Sequence, residues 1–459
     1  MRALGLILAV AIAAHANAQE ISPGDVLASV ERHHPTIAEA VAREDAARAE
    51  VMAARGGFDP QLSAYGAVRR GGYYDLTRVD IELRQPTPLW GAELWAGYRR
   101  GDGQQDRYPT YYDDETLDGG EIRAGVSVPL WRNGPLDARR AARERALFGA
   151  DAAEQARRAT ELELRGEGLS AYWKWVAAGR QLAVTTRLRD LAQARLEQVR
   201  GRVRAGAIPE VEALEAERSV LSRQGSWVSA RRYLEAAALQ LSLYLRDRAG
   251  RPTVPHEGRL PSSLDLPPEL PDVDTAVLRA VSCHPELRSA RASIERSRVG
   301  RDLARARRAP QVDVSFQVSR DFGQGGTTLP GTVYEGGLRV AMPLGLRTAR
   351  GELDAAEASL SAAEQSLRLK EDVLATKIRD VASAYRAAKE RYDLAHALAD
   401  TTERLATAEL RRFEAGATTL LVVNLREQAA AEAAVAEVEA ARDLWIAAAY
   451  WDALTTCPQ

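Results

Sequence analysis

The sequence predicts a mixed α+β chain in which one helix, strand, strand, helix unit is used twice. Three observations carry that reading. His34-Pro35 precedes Pro60-Gln61 by 26 residues, and His284-Pro285 precedes Pro310-Gln311 by the same 26. Alternating apolar and polar residues then run to Val128-Pro129-Leu130 in the first copy and to Met342-Pro343-Leu344 in the second. A long Ala-rich stretch follows each, ending at Arg-Val-Arg-Ala-Gly-Ala (Arg202 to Ala207) and at Arg-Arg-Phe-Glu-Ala-Gly-Ala (Arg411 to Ala417). The same order of elements met twice is the mark of an internally duplicated supersecondary unit.

Residues 1–18 read as a signal peptide: Met1-Arg2, an apolar run from Ala3 to Ala14, and the small residues Ala16-Asn17-Ala18 before Gln19. The mature chain is therefore expected outside the cytoplasm. No later stretch approaches the roughly 20 apolar residues of a membrane-spanning helix, so entry into a membrane requires strands. The first copy occupies residues 19–250. It has helical periodicity from Pro23 to Arg55, strands within about 61–130, and helices from Pro135 to Arg204 and Glu210 to Arg246 on either side of a tip at about 205–209. Residues 251–272 carry Pro252, Pro255, Pro261, Pro267, Pro268 and Pro271, a density that no helix sustains, and form an extended connector. The second copy, residues 273–459, repeats the plan: helix from Val273 to Arg308, strands within about 311–343, helix from Leu346 to Glu414, tip at about 415–419, helix from Leu420 to Leu454.

Leu353, Leu360, Leu367, Leu374 and Val381 recur every seven residues, with Ala356 and Ala363 between them, which predicts a coiled-coil seam. Nearly seventy helical residues make a rod roughly 100 Å long. Such a rod has no globular core to enter and is stabilised by neighbouring helices, so an assembly is expected rather than a monomer. In the strand regions, Val79, Ile81 and Leu83 alternate with Asp80, Glu82 and Arg84, and Val312, Val314, Phe316 and Val318 alternate with polar residues. One apolar and one polar face suit a barrel with lipid outside and water inside. Tyr65, Tyr73, Tyr74, Trp90, Trp95, Tyr98, Tyr108, Tyr111, Tyr112 and Trp131 concentrate here, as interfacial girdles require. The second copy offers two strands and the first two to four. Such a number falls short of the eight in the smallest membrane barrels, so the barrel is expected to be shared between chains.

The formal net charge is −2 although 27% of residues are charged, which argues against a nucleic-acid partner held by bulk electrostatics. The two cysteines are Cys283 and Cys457. Export makes a disulfide between them chemically permissible, two free thiols being the alternative. His33, His34, His256, His284 and His396 show no metal-ligand spacing, and His34 and His284, at equivalent sites, are expected to pack or cap. Gly323-Gln324-Gly325-Gly326 lacks the Lys-Ser/Thr and helix of a phosphate loop and reads as a loop at the strand tips. The helix carboxylates stand beside arginines at helical spacing, as solvated i, i+4 pairs do. No nucleophile accompanies a base, so no enzyme and no cofactor are expected.

The Val-Pro-Leu-Trp and Met-Pro-Leu-Gly strand exits, the Arg-rich helix starts at Leu136-Asp137-Ala138-Arg139-Arg140 and Arg347-Thr348-Ala349-Arg350, the two Ala-Gly-Ala turns and the duplication together resemble the TolC-like outer-membrane efflux family over essentially the whole mature chain. The resemblance implies a homotrimer: a β-barrel in outer-membrane lipid continued by a long α-helical coiled-coil barrel into the periplasm. It also implies a periplasmic adaptor and an inner-membrane pump docking at the far end. The turns Ala205, Gly206, Ala207 and Ala415, Gly416, Ala417 are then the periplasmic tips and adaptor contacts. In the family an acidic residue near the start of the helix after each tip helps constrict the entrance. Glu212 holds that position in the first copy with Glu215 beyond it, whereas the second copy has Leu421 and Leu425 there and no carboxylate, which predicts an apolar constriction from that side. The expected function is a passive conduit for cargo delivered by the pump, as in tripartite efflux or type I secretion. The alternatives are a periplasmic adaptor, which would show one helical hairpin rather than two, and a structural coiled-coil envelope protein.

Overall fold

The computed structural model describes residues 20–71, 75–104, 116–262, 265–325 and 331–458. The expected signal peptide, with Tyr73, Tyr74, Tyr108, Tyr111, Tyr112 and Gly326, lies outside the described residues. The elements in chain order are α1 (Pro23–His33), α2 (Pro35–Arg55), β1 (Gln61–Arg69), β2 (Asp75–Pro86), β3 (Glu93–Gln104), β4 (Glu121–Pro129), α3 (Ala138–Arg204), α4 (Glu210–Leu241), α5 (Val273–Cys283), α6 (Pro285–Ala306), β5 (Gln311–Asp321), β6 (Thr332–Ala341), α7 (Arg347–Glu414) and α8 (Leu420–Thr455).

Each copy begins with a broken helix where one continuous helix was expected. Proline disfavours helical dihedrals in the residue before it, and both His34 (ψ 127°) and His284 (ψ 132°) are extended. His34 turns the break to use: its Nδ1 accepts from the Thr36 N–H, and its ring stacks on Tyr244 at 5.7 Å. The helix expected from Pro135 starts instead at Ala138, because the Asp137 carboxylate accepts from the Arg140 N–H at 2.8 Å and caps it. Helix α4 ends at Leu241 rather than Arg246.

The chain divides into two units, each drawing on both copies. One, within Val41–Ala156 and Glu286–Lys370, holds a six-stranded antiparallel sheet in the order β1-β2-β3-β4-β5-β6. Among the described residues, the first copy thus supplies four strands and the second two. Here α6 and α7 run antiparallel, joined by ion pairs Arg307–Glu352 (3.0 Å), Arg305–Glu357 (3.6 Å), Arg298–Glu364 (3.8 Å) and Lys370–Glu286 (3.5 Å). Along α7 the expected heptad stripe faces inward, with Leu353, Leu360 and Leu374 buried.

The other unit is helical, within Met1–Ala40, Arg157–Pro285 and Glu371–Gln459. Its main core gathers Ile21, Val26, Val30, Tyr172, Trp175, Val176 and Leu241, all nearly inaccessible, and Trp173 stacks on Trp445 at 4.3 Å. The Tyr172 hydroxyl donates to the Ile21 carbonyl at 2.9 Å, and burial pushes its pKa up to about 12. The proline-rich connector is pinned rather than loose. The Tyr385 hydroxyl donates to the Pro268 carbonyl at 2.7 Å, and Leu260 fills the space above Gly179, where any Cβ would collide. Cys283, at the end of α5, and Cys457, just past α8, form a disulfide with Cα atoms 5.6 Å apart.

Candidate functional site

Two regions carry the features that matter, one in each unit. The first is the sheet. Cross-strand partners share a face, and the register Ala64↔Ile81, Ile81↔Tyr98, Tyr98↔Ile122, Val126↔Phe316 and Val318↔Tyr334 strings apolar side chains across all six strands. That face is open: Leu62 is 73% exposed, Ile122 54%, Phe316 49% and Leu338 69%. The opposite face is charged, and its ion pairs on β2, β3 and β4 are shielded. Arg123 donates to both oxygens of Asp80 (2.6 and 2.7 Å), Arg78 also reaches Asp80 (2.8 Å), and Arg99 pairs with Glu121 (2.7 Å). Asp80 and Glu121 are only 8% and 7% exposed. This reverses the usual arrangement of a sheet in water, in which aliphatic groups are covered and charges solvated.

Register also corrects the expected aromatic girdle. Trp90 and Trp131, with Leu89 and Leu130, are exposed in the turns at the helix-bearing ends of the strands. Tyr65 and Trp95, however, fall on the charged face, because their partners are Asp80 and Arg84. There Tyr65 lies under Arg78, and Trp95 lies under Arg123 and over Gly125.

The second region is the pair of helix tips. Gly206 (φ +70°) and Gly416 (φ +75°) adopt the left-handed conformation that side chains resist. At each tip two crossed hydrogen bonds close the helix end. Ala207 N–H donates to Arg202 O and Gly206 N–H to Val203 O; Ala417 N–H donates to Arg412 O and Gly416 N–H to Phe413 O. Both are Schellman caps built on the same residues, so the repeated Ala-Gly-Ala has an immediate structural cause. Ala205 and Ala415 are exposed along with their glycines. Beneath the tips, Leu196, Val199, Val220 and Leu420 form a small core that Phe413 and Ile208 border.

Leu421 and Leu425 point outward, 49% and 57% exposed, and line a groove of about 990 Å³ between α3, α4 and α8. Glu212 and Glu215 are half-buried near the start of α4. The Arg218 guanidinium donates to Glu215 at 2.6 Å and holds its carboxyl below the usual range.

One arrangement at this end went unforeseen from sequence. Arg195 on α3 makes a two-pronged contact with Glu427 on α8 (2.6 and 2.8 Å), and Arg223 on α4 adds a third bond at 3.1 Å. Arg195 also donates to Asn424 at 3.3 Å. The charged side chains are about 10% exposed. Burial raises the pKa of Glu427, but the two guanidinium groups more than offset it and leave the group below its ordinary value. The available signal was spacing: Leu420, Val423, Glu427 and Ala430 recur at three and four residues, which puts a carboxylate on an apolar stripe.

A family model described as outer membrane efflux protein matches residues 26–245 and 278–454. The chain belongs to the outer membrane efflux protein family. Solved structures similar to it include the outer-membrane channel OprN, at 17% identity, covering 95% of this chain and 90% of that one with a TM-score of 0.67. The open state of the MtrE outer membrane channel of Neisseria gonorrhoeae is similar at 17% identity, over 94% of this chain and 88% of that one, TM-score 0.66. The outer membrane protein VceC of Vibrio cholerae is similar at 17% identity, over 94% and 96%, TM-score 0.65. At these identities the likeness is one of fold: long helices with a small antiparallel sheet. No curated protein sequence matches the chain. Among the described residues of this efflux-family chain, no cluster of His, Cys, Asp and Glu could hold a metal ion, and no helix is long and apolar enough to cross a membrane.

Proposed function

We propose that the chain is one of three protomers of an outer-membrane channel, and that it serves as the passive exit duct of a tripartite efflux or type I secretion system. The observation that carries this reading is the reversed sheet, with open aliphatics on one face and shielded ion pairs on the other. Lipid stabilises the first face and a water-filled lumen accommodates the second. Strands of 9 to 12 residues suit a hydrocarbon core crossed at a tilt. Neither β1 nor β6 has a second strand partner among the described residues. The sheet has an even number of strands, so β6 of one copy meets β1 of the next antiparallel, and three copies close a ring without an exposed edge. Helices of 67 and 68 residues, α3 and α7, are each roughly 100 Å long and extend such a ring as a tunnel into the periplasm.

In this reading Ala205, Gly206, Ala207, Ala415, Gly416 and Ala417 meet a periplasmic adaptor, through which an inner-membrane pump delivers cargo. Leu421 and Leu425, with Glu212 and Glu215 nearby, narrow the entrance. The deciding experiment is purification from outer membranes followed by reconstitution. Detergent-dependent extraction as a trimer, with ion conductance in planar lipid bilayers, supports the channel. A water-soluble monomer that conducts nothing overturns it.

A further inference from the structure

The two copies differ most in one place. From Pro60 to Pro129 the first copy is 36 residues longer than the second from Pro310 to Pro343. By the repeat, β1 corresponds to β5 and β4 to β6, so β2 and β3 are an inserted hairpin. It is part of the sheet and not an appendage. It pairs with β1 from Gln61↔Arg84 to Arg69↔Leu76, and with β4 from Glu93↔Ser127 to Arg99↔Glu121. Three glycines seat it. Gly97 on β3 leaves a gap over which Arg123 on β4 reaches Asp80 on β2; a Cβ there would come within 2.9 Å of the Ile81 carbonyl oxygen. Gly125 on β4 receives the Trp95 ring, which a Cβ would meet at 2.7 Å. Gly91 (φ +67°), in the β2–β3 turn, lies where a Cβ would approach the Asn133 carbonyl at 2.6 Å, so the turn rests on the segment leading into α3. Arg139 at the start of that helix binds Glu93 on β3 at 2.5 Å.

Insertion of two strands preserves the antiparallel order and changes only the circumference. Resting on the reading that three copies close one barrel, we infer that the β2–β3 hairpin sets the bore of the outer-membrane pore and admits wide hydrophilic solutes. Six strands from each of three copies give eighteen in place of the twelve that β1, β4, β5 and β6 alone would supply. Barrel diameter grows about linearly with strand number, so the ring is roughly 1.5-fold wider. At a strand spacing of about 4.8 Å and a tilt of about 40°, the backbone diameter is roughly 36 Å instead of roughly 24 Å. The inserted strands line this lumen with Arg78, Asp80, Glu82, Arg84 and Arg99, both signs interspersed, a surface for hydrated solutes rather than apolar ones.

The test compares the wild type with a variant in which residues 70–120 are replaced by a short Gly-Ser turn, joining β1 directly to β4. Poly(ethylene glycol)s of graded size are added to the barrel side of reconstituted channels, and the largest polymer that lowers conductance is recorded. The inference expects both proteins to be conducting trimers, with the size limit of the variant reduced to roughly two thirds. An unchanged limit in conducting trimers overturns the inference and leaves the channel assignment standing. If the variant does not assemble, end-on electron-microscope projections of the wild type decide: a ring near 36 Å supports the hairpin as wall, and one near 24 Å rejects it. Absence of both trimers and conductance in the wild type removes the channel reading itself, and the inference with it.

Discussion

Glu427 sets charge against burial at the meeting of three helices. A carboxylate shielded to this degree persists only because Arg195 and Arg223 close on it from two other helices. Replacing it as Glu427→Gln leaves two guanidinium groups facing one another without a counter-charge, which costs about 3–5 kcal/mol for a buried pair. The expected outcome is faster hydrogen exchange and earlier proteolysis at the tips, with exchange around the Trp173 core unchanged. The pH dependence follows from the depressed pKa. Stability from Glu427 is complete above the ordinary carboxylate range and is lost as pH falls through the lower folded-state value. The wild-type tips should therefore hold in mild acid and loosen only in strong acid, while the Gln variant loses that acid step. Retention of the step in the variant would assign it to another group. The arrangement was hard to read from sequence because Arg195 and Glu427 are 232 residues apart. The local i, i+4 pairs that sequence does reveal, such as Arg231 with Glu235 and Lys389 with Asp393, are exposed and contribute little.

At the scale of elements, the duplicated tips invite the cleanest comparison. Gly206 and Gly416 have nothing within 4 Å of a would-be Cβ, so a larger residue there meets backbone strain and no clash. Gly206→Val or Gly416→Val should cost about 1–2 kcal/mol each through the left-handed dihedral. Efflux is expected to fall while trimers still assemble, measured as drug or metal tolerance alongside native mass. Full tolerance in both variants would show that tip geometry is not used. These turns were legible because a Schellman cap demands glycine at one position and the sequence supplies it twice. Strands β2 and β5 were legible from alternation. Strand β3 was not: Glu93–Gln104 contains Gly97, Gly101 and Gly103, which blur the pattern, so the first copy read as two to four strands. The helix breaks at His34 and His284 were open to reading, since each precedes proline, but periodicity on both sides hid the interruption.

For the whole molecule, the disulfide outweighs any single contact. It joins residues 174 apart and so encloses α6, β5, β6, α7 and α8 in one covalent loop. In the chain-entropy account a loop of that length stabilises by up to about 5 kcal/mol. Cys283→Ser, or reduction of the wild type, should lower the thermal midpoint, and the two treatments should not add. A midpoint unaffected by reductant, with the bridge verified as intact beforehand, would show that helix packing alone holds the second copy in place. Sequence made the bond permissible but could not establish it, because the approach of α5 to the segment after α8 depends on tertiary packing of both.

The same bridge sets a clock on maturation. Cys457 follows both long hairpins and the six described strands in the sequence, so the bridge cannot close until all of them have been synthesised. A chain interrupted anywhere between the two cysteines would keep Cys283 as a solitary thiol, open to chemical labelling.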